Sequence, residues 1–193
     1  MKLFRGISLL ILLTVLAACG TRAIPNTGQA VRIGSNDTTQ DLLVAEMYAQ
    51  VLSANDIPVE RKLNLGNDQA VHNALVQKQI DLYPELTNTA YLTVMEMKDG
   101  EKDAAMILEK VRKYYERRWK ITWLKAAPAS DAIAPVVWQD VIENYPQMSE
   151  LLDKVSAELT TDAISALVKK VDSNQQGYSQ AARDFLTEKG LLP

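Results

Sequence analysis

The sequence predicts an α/β fold: a single lobe with a mostly parallel sheet, flanking helices and a helical C-terminus. Three observations lead there. Between residues 30 and 83 strand-like and helix-like stretches alternate, and strand, helix, strand, helix, strand implies parallel pairing through crossover helices. From residue 139 to the end the periodicity is helical throughout. The 193 residues hold one cysteine, so no internal disulfide can form and the fold needs a full apolar core.

The elements follow in order. Ala30–Ser35 alternates apolar and polar residues and predicts a strand. Asn36-Asp37-Thr38-Thr39 then offers capping side chains to a helix over Gln40–Ala54, where Leu43, Met47 and Val51 repeat every fourth residue. Val59–Leu65 is the second strand. Gly66-Asn67-Asp68 leads into a helix through Val76, and Ile80–Tyr83 is a short third strand expected to stop at Pro84. Beyond the turn at Lys98-Asp99-Gly100 a long helix carries Ala104, Ile107, Leu108, Val111 and Tyr115 on one stripe; Lys110, Arg112, Lys113 and Arg117 form its solvated face. Ile121–Leu124 predicts another strand, and the Ala-, Pro- and Ser-rich run from 126 to 135 a connection. Helices are expected over Gln139–Asn144, Pro146–Leu159, Asp162–Val171 and Gln180–Lys189, with Thr161 and Ser179 as N-caps and Gly190 as a C-terminal stop.

The first eighteen residues have the parts of a secretory signal: Lys2 and Arg5, then an apolar run over Ile7–Ala18 too short to span a bilayer. It ends in Leu16-Ala17-Ala18-Cys19, which resembles a bacterial lipobox and implies a lipid on Cys19; the alternative is an ordinary signal peptide that happens to contain a cysteine. Removing the signal takes two of the 21 basic residues, so against 24 acidic ones the mature chain carries 19 − 24 = −5. That charge gives no electrostatic case for nucleic acid. The expected organisation is a signal over 1–18, a tether over 19–29, the lobe over 30–125, a connection over 126–138 and C-terminal helices over 139–193.

Several motifs lie in an informative order. Ile33-Gly34-Ser35, the helix with Glu46-Met47-Tyr48, the run from Val59 to Gly66, and Ile80-Asp81-Leu82-Tyr83-Pro84-Glu85 resemble the first lobe of substrate-binding proteins of osmoprotectant ABC transporters. Asn144-Tyr145-Pro146 and the run from Phe185 to Leu191 are similar to that family's C-terminal helices. The resemblance implies one lobe of a periplasmic-binding-protein-like fold, a lipoprotein of the cell envelope facing the periplasm or exterior, and no cofactor. It also implies an ABC permease as partner and a quaternary amine, such as glycine betaine or choline, as ligand. The family places a whole second lobe where this chain runs from Trp123 almost directly to Ala134. A partner would then close the cleft: a second copy, a separate second-lobe chain or the permease. Family aromatics are also replaced, by Leu86 and, in the crossing, Ile133. This leaves a second reading, an accessory or degenerate lipoprotein that docks on a permease without binding solute.

The candidate ligand residues are Asn36, Thr38, Gln69, Tyr83 and Thr89, all near the C-terminal ends of strands, where α/β folds bind ligands. Each has a plainer role. Thr38 is a helix cap first, Asn36, Gln69 and Thr89 fit caps or loops, and Tyr83 either lines the cleft or packs under the next helix. His72, the only histidine, is expected on the surface of its helix, with no metal site and no catalytic triad around it. Glu46, Asp81 and Glu85 are expected to be solvated or capping, and no enzyme chemistry is assembled. Trp119, Trp123 and Trp138 are core residues or, less simply, a patch that seeks a partner.

Overall fold

The computed structural model describes residues 28–129 and 132–192. The signal, Cys19 and nearly all of the tether lie outside the described residues. Five strands form one sheet in the order β2-β1-β3-β5-β4: β1 (Val31–Gly34), β2 (Val59–Lys62), β3 (Leu82–Leu86), β4 (Ile121–Trp123) and β5 (Ile133–Trp138). β1 pairs parallel with β2 and β3, and β5 runs antiparallel between β3 and β4. One reversed strand among four co-directional ones makes the sheet mixed, with two parallel and two antiparallel pairings where a mostly parallel sheet was expected.

Helices cover both faces. On one side α1 (Thr39–Ala54) lies between the sheet and the C-terminal helices α6 (Gln147–Glu158), α7 (Thr161–Asp172) and α8 (Tyr178–Glu188). Sandwiched this way, α1 buries Leu43, Val44, Met47, Tyr48, Val51 and Leu52 around most of its circumference. On the other side α2 (Asp68–Val76) and α4 (Ala104–Trp119) pack a second core of Leu75, Ile80, Tyr83, Val111, Tyr115 and Val136. Between them α3 (Thr87–Thr89) continues into a π-helical turn over Ala90–Val94, and α5 (Gln139–Asn144) follows β5 directly.

The main correction is β5. The connection expected over 126–138 shrinks to a link between Trp123 and Ile133, and Ile133–Trp138 is a strand buried at every position. Its run Ile-Ala-Pro-Val-Val-Trp does not alternate because both faces are covered, and Pro135 disguises it. Pro84 likewise does not end β3. It sits opposite Pro135, whose carbonyl turns away to accept from the Leu124 amide at 3.0 Å, so neither proline is asked for a β3–β5 ladder hydrogen bond. Two caps also shift: Thr160 rather than Thr161 caps α7, and Gly177 rather than Ser179 precedes α8. Ser179 is instead drawn to Glu46, as described below.

Gly34 shows how closely the layers approach. A Cβ there would lie 2.5 Å from Ile80 Cδ1 and 3.3 Å from Leu65 Cδ1. Ile80 is itself 1% exposed and has little room to yield. Gly34→Ala is expected to cost about 1–3 kcal/mol, the usual range for overpacking; urea titration with an unchanged m-value would show it, and a loss below about 0.5 kcal/mol would contradict the packing argument.

Candidate functional site

The C-terminal ends of β1 and β3 open onto one end of the sheet. β5 begins there, with Ile133 opposite Leu86, so the link from β4 to β5 crosses the same end. The carbonyl of Ala132 accepts from the Thr87 amide at 2.9 Å and the Thr87 hydroxyl at 2.8 Å, which pins the link to the start of α3. The loop into α1 arrives beside it. Asn36 Oδ1 accepts from the Thr38 amide and hydroxyl, both at 3.0 Å, while Asn36 Nδ2 donates to Asp68 at 2.7 Å. Thr38 caps α1 by accepting from the Asp41 amide at 3.2 Å, and Asn67 caps α2 by accepting from Ala70.

Of the five expected ligand residues, Asn36 and Thr38 therefore meet in one hydrogen-bonded cluster, tied to the start of α2 through Asp68. Both are engaged in the local roles that composed the plainer reading. Thr89 is half-buried on the turn after β3 at the same end, and its carbonyl accepts from the Thr93 hydroxyl. Gln69 is exposed and donates along α2 to Asn73 at 3.0 Å. Tyr83 lies in the core at 1% exposure, and its hydroxyl donates to Glu85. Of its two expected alternatives, the structure shows the packed one.

The carboxylates are where sequence reasoning failed. Glu46, Asp81 and Glu85, expected to be solvated or capping, are all buried. Asp81 pairs with Arg32, at 2.6 Å to Nη2 and 2.9 Å to Nε. Glu46 pairs with Arg61. Among the described residues no cation pairs with Glu85: it accepts from Tyr83 and from the Leu86 amide at 3.0 Å, with Asp68 and Asp41 nearby. Burial above all, with repulsion from those two carboxylates, pushes Glu85 up to about 8 against the pull of its two donors. No local sequence signal marks this gathering, because Asp41, Asp68 and Glu85 belong to separate elements.

His72 is a second correction. It is 4% exposed, edge-on to Tyr115 and Trp119 with ring centroids at 5.5 and 5.0 Å. Burial lowers its pKa to about 4, so it is neutral at pH 7. Position 72 lies beside Val71 and one turn before Leu75, on the inward face of α2, which its polarity concealed. Trp123 and Trp138 are core residues, and Trp119 is half-buried beside them.

The strand-end cluster, the crossing link and the returning helices all fall within a stretch that matches a known domain. The substrate-binding domain of ABC-type glycine betaine transport systems matches this chain over residues 29–134 and again over 116–188. The chain belongs to that family. Among its relatives, the glycine betaine-binding protein YehZ of Escherichia coli K12 is 34% identical over 114 residues, which are 58% of this chain and 37% of YehZ. The carnitine transport binding protein OpuCC of Listeria monocytogenes is 23% identical over 187 residues, 93% of this chain and 60% of that protein. The chain thus spans less than two thirds of either relative's length. The solved structure of apo YehZ superposes with a TM-score of 0.80 at 18% identity, over 84% of this chain and 99% of that one. A crystal structure of a glycine betaine/carnitine/choline ABC transporter superposes with a TM-score of 0.78 at 10% identity, over 83% of this chain. At such identities these two carry the fold alone, and they agree with the α/β lobe found here.

Proposed function

We propose that this member of the glycine betaine family is the extracytoplasmic solute-binding component of an ABC transporter and supplies one wall of a quaternary-amine cleft. The observation that carries the proposal is the end of the sheet where Asn36, Thr38 and Thr89 stand beside the link from β4 to β5. Gln69 follows Asp68, to which Asn36 donates, at the start of α2. The link is too short to hold a second lobe, so the opposite wall comes from a permease, a second copy or a separate chain. In the same reading Cys19 carries the lipid that keeps the chain at the envelope. The names of the relatives, glycine betaine-binding and carnitine transport binding proteins, point to the ligand class. The comparisons lend no support to the accessory, solute-free alternative.

The chemistry explains the need for a partner. A quaternary ammonium has no N–H to donate, so proteins hold it with aromatic faces worth about 0.5–2 kcal/mol each. Here Tyr83 is spent in the core, Leu86 is half-buried and Ile133 is fully buried, so this wall brings few rings to the cation. Each missing ring of about 1.4 kcal/mol lowers affinity about tenfold. Equilibrium dialysis with labelled glycine betaine and carnitine is expected to show tight retention with the cognate permease and none by the chain alone. Absence of retention in both settings would end the proposal, and a tight complex with the isolated monomer would refute the shared-wall mechanism.

A further inference from the structure

The cationic face of α4 is not used by the strand-end site. Met106, Lys110, Lys113 and Arg117 recur at i, i+4, i+7 and i+11 and so share one helix face. An open groove runs beside it, with Met95, Met97 and Tyr114 among its walls and no carboxylate lining it. The nearest acids are engaged: Asp99 and Glu101 hold Lys110 at 2.9 and 3.3 Å, and Glu109 holds Lys113. Among the described residues no carboxylate pairs with Arg117 or Arg118; Arg118 lies over the rings of Trp119 and Tyr114, at 5.2 and 5.9 Å from their centroids. Met106 on this face is 46% exposed, and Leu92, on the π-helical turn, is 61% exposed.

We propose that this face of α4 rests on an anionic phospholipid surface and fixes how the lobe lies on its membrane. The proposal rests on the envelope location given above, but on nothing about solute binding. Charge complementarity is the first argument. The whole chain is acidic, at −3, yet Lys110, Lys113, Arg117 and Arg118 line this groove and no carboxylate does; Asp99, Glu101 and Glu109 pair with the two lysines and leave the two arginines without a carboxylate partner among the described residues. Cations around thioether and aromatic side chains are what an amphipathic surface helix offers to headgroups and the acyl boundary.

The second argument is reach. Cys19 and Gly28 are 28 − 19 = 9 residues apart, which can span no more than about 30 Å. Gln29 enters the fold in a hollow that it shares with Lys78 and Asp140, and the same two residues line the neighbouring hollow with Trp119 and Lys120. The C-terminal end of α4 is therefore close to where the chain enters the lobe. A lipid on Cys19 brings that end within reach of the bilayer, and such short tethering gives an effective concentration near the millimolar range. The tether then strengthens a contact that the free chain already makes.

The test uses the chain from Gly20 onward, which retains every described element and carries neither signal nor lipid, mixed with vesicles and sedimented. Vesicles of phosphatidylglycerol and phosphatidylcholine are expected to carry the protein down, and pure phosphatidylcholine vesicles are not. Added salt should weaken the association. Lys113→Glu with Arg117→Glu, two exposed changes whose folding circular dichroism can verify, should weaken it at least about 30-fold. The milder Lys113→Gln with Arg117→Gln should fall in between. No association with anionic vesicles at low salt, equal association with neutral ones, or indifference to charge reversal each overturns the proposal. Binding that needs the permease in a neutral bilayer, and is lost in the charge-reversed protein, would overturn it in favour of an acidic protein surface. Solute dialysis and vesicle sedimentation have separate readouts, so failure of one leaves the other standing.

Discussion

Arg61→Ala is expected to cost about 3 kcal/mol of stability at pH 7, near the lower end of what breaking a buried ion pair costs. Arg61 holds Glu46 with two hydrogen bonds, at 2.7 Å from Nε and 3.2 Å from Nη2. The Glu46 side chain is only 4% exposed while that of Arg61 is 41% exposed. Removing the arginine therefore strands a buried carboxylate, which keeps Gln50 at 2.9 Å and Ser179 at 3.0 Å as neutral donors. Gln50 also donates to the Ser179 carbonyl at 2.8 Å, so the cluster joins β2, α1 and the start of α8. The pH dependence should change sign with the mutation. In the wild type burial pushes Glu46 up, but the hydrogen bonds from Arg61 and Gln50 and the arginine's charge outweigh it and leave the pKa below the ordinary value. That contribution is present above the unfolded-state pKa and lost as pH falls through the lowered folded one. Without Arg61, burial prevails, the folded pKa rises above the ordinary value, and the variant should gain stability on acidification toward about pH 5. Urea titrations at both pH values check this; a loss under about 1 kcal/mol, or an unchanged pH slope, would refute it.

Glu85→Gln should remove a loss of stability that the wild type suffers in mild alkali. With its pKa pushed up to about 8, Glu85 keeps its proton in the folded chain while the unfolded chain gives it up near the ordinary carboxylate value. Between those values the folded state binds more protons. Stability from this group is thus fully present at low pH and lost as pH rises toward 8. His72 works the other way. Its folded pKa of about 4 lies below the ordinary 6.5, so its contribution grows as pH rises between the two and is complete above 6.5. The two slopes oppose each other in mild acid, and only that of Glu85 remains above about pH 6.5. There the wild type is expected to lose about 2 kcal/mol by pH 8, at about 1.4 kcal/mol per unit. Glu85→Gln, with a neutral amide beside Tyr83, should stay flat over that range. Parallel curves for the two proteins would show that Glu85 is already ionised in the fold.

The boundaries between legible and illegible features follow from distance along the chain. Helical stripes such as Leu43-Met47-Val51, the cap at Thr38 and the stop at Gly190 are set by neighbours within a turn, and they stand where periodicity put them. The same holds for the alternation that gives β1 and the start of β2, and for the ordered motifs that placed the chain among the glycine betaine binding domains, whereas β3 runs on through Pro84 to Leu86. The C-terminal helices were equally plain, down to Pro146 at the entry of α6.

Polar burial was not legible, because a carboxylate's fate depends on partners that local pattern does not reveal. Asn36 meets Asp68 across 32 residues, and Glu46 meets Ser179 across 133. Glu85 carries no mark that separates a core position from a surface one, and the mark that His72 has, its register with Val71 and Leu75, is masked by its polarity; the layers packed on β3 and α2 decide both. β5 is the same lesson in backbone form, since a proline-containing apolar run becomes a central strand only when β3 and β4 supply its pairing. The sequence by itself thus determined the helices, the strands other than β5, their order and the family, all of which rest on short-range periodicity and motif. The tertiary structure alone decided which charges are dry, which rings remain for a ligand and where β5 inserts, because desolvation and strand pairing are properties of the assembled layers.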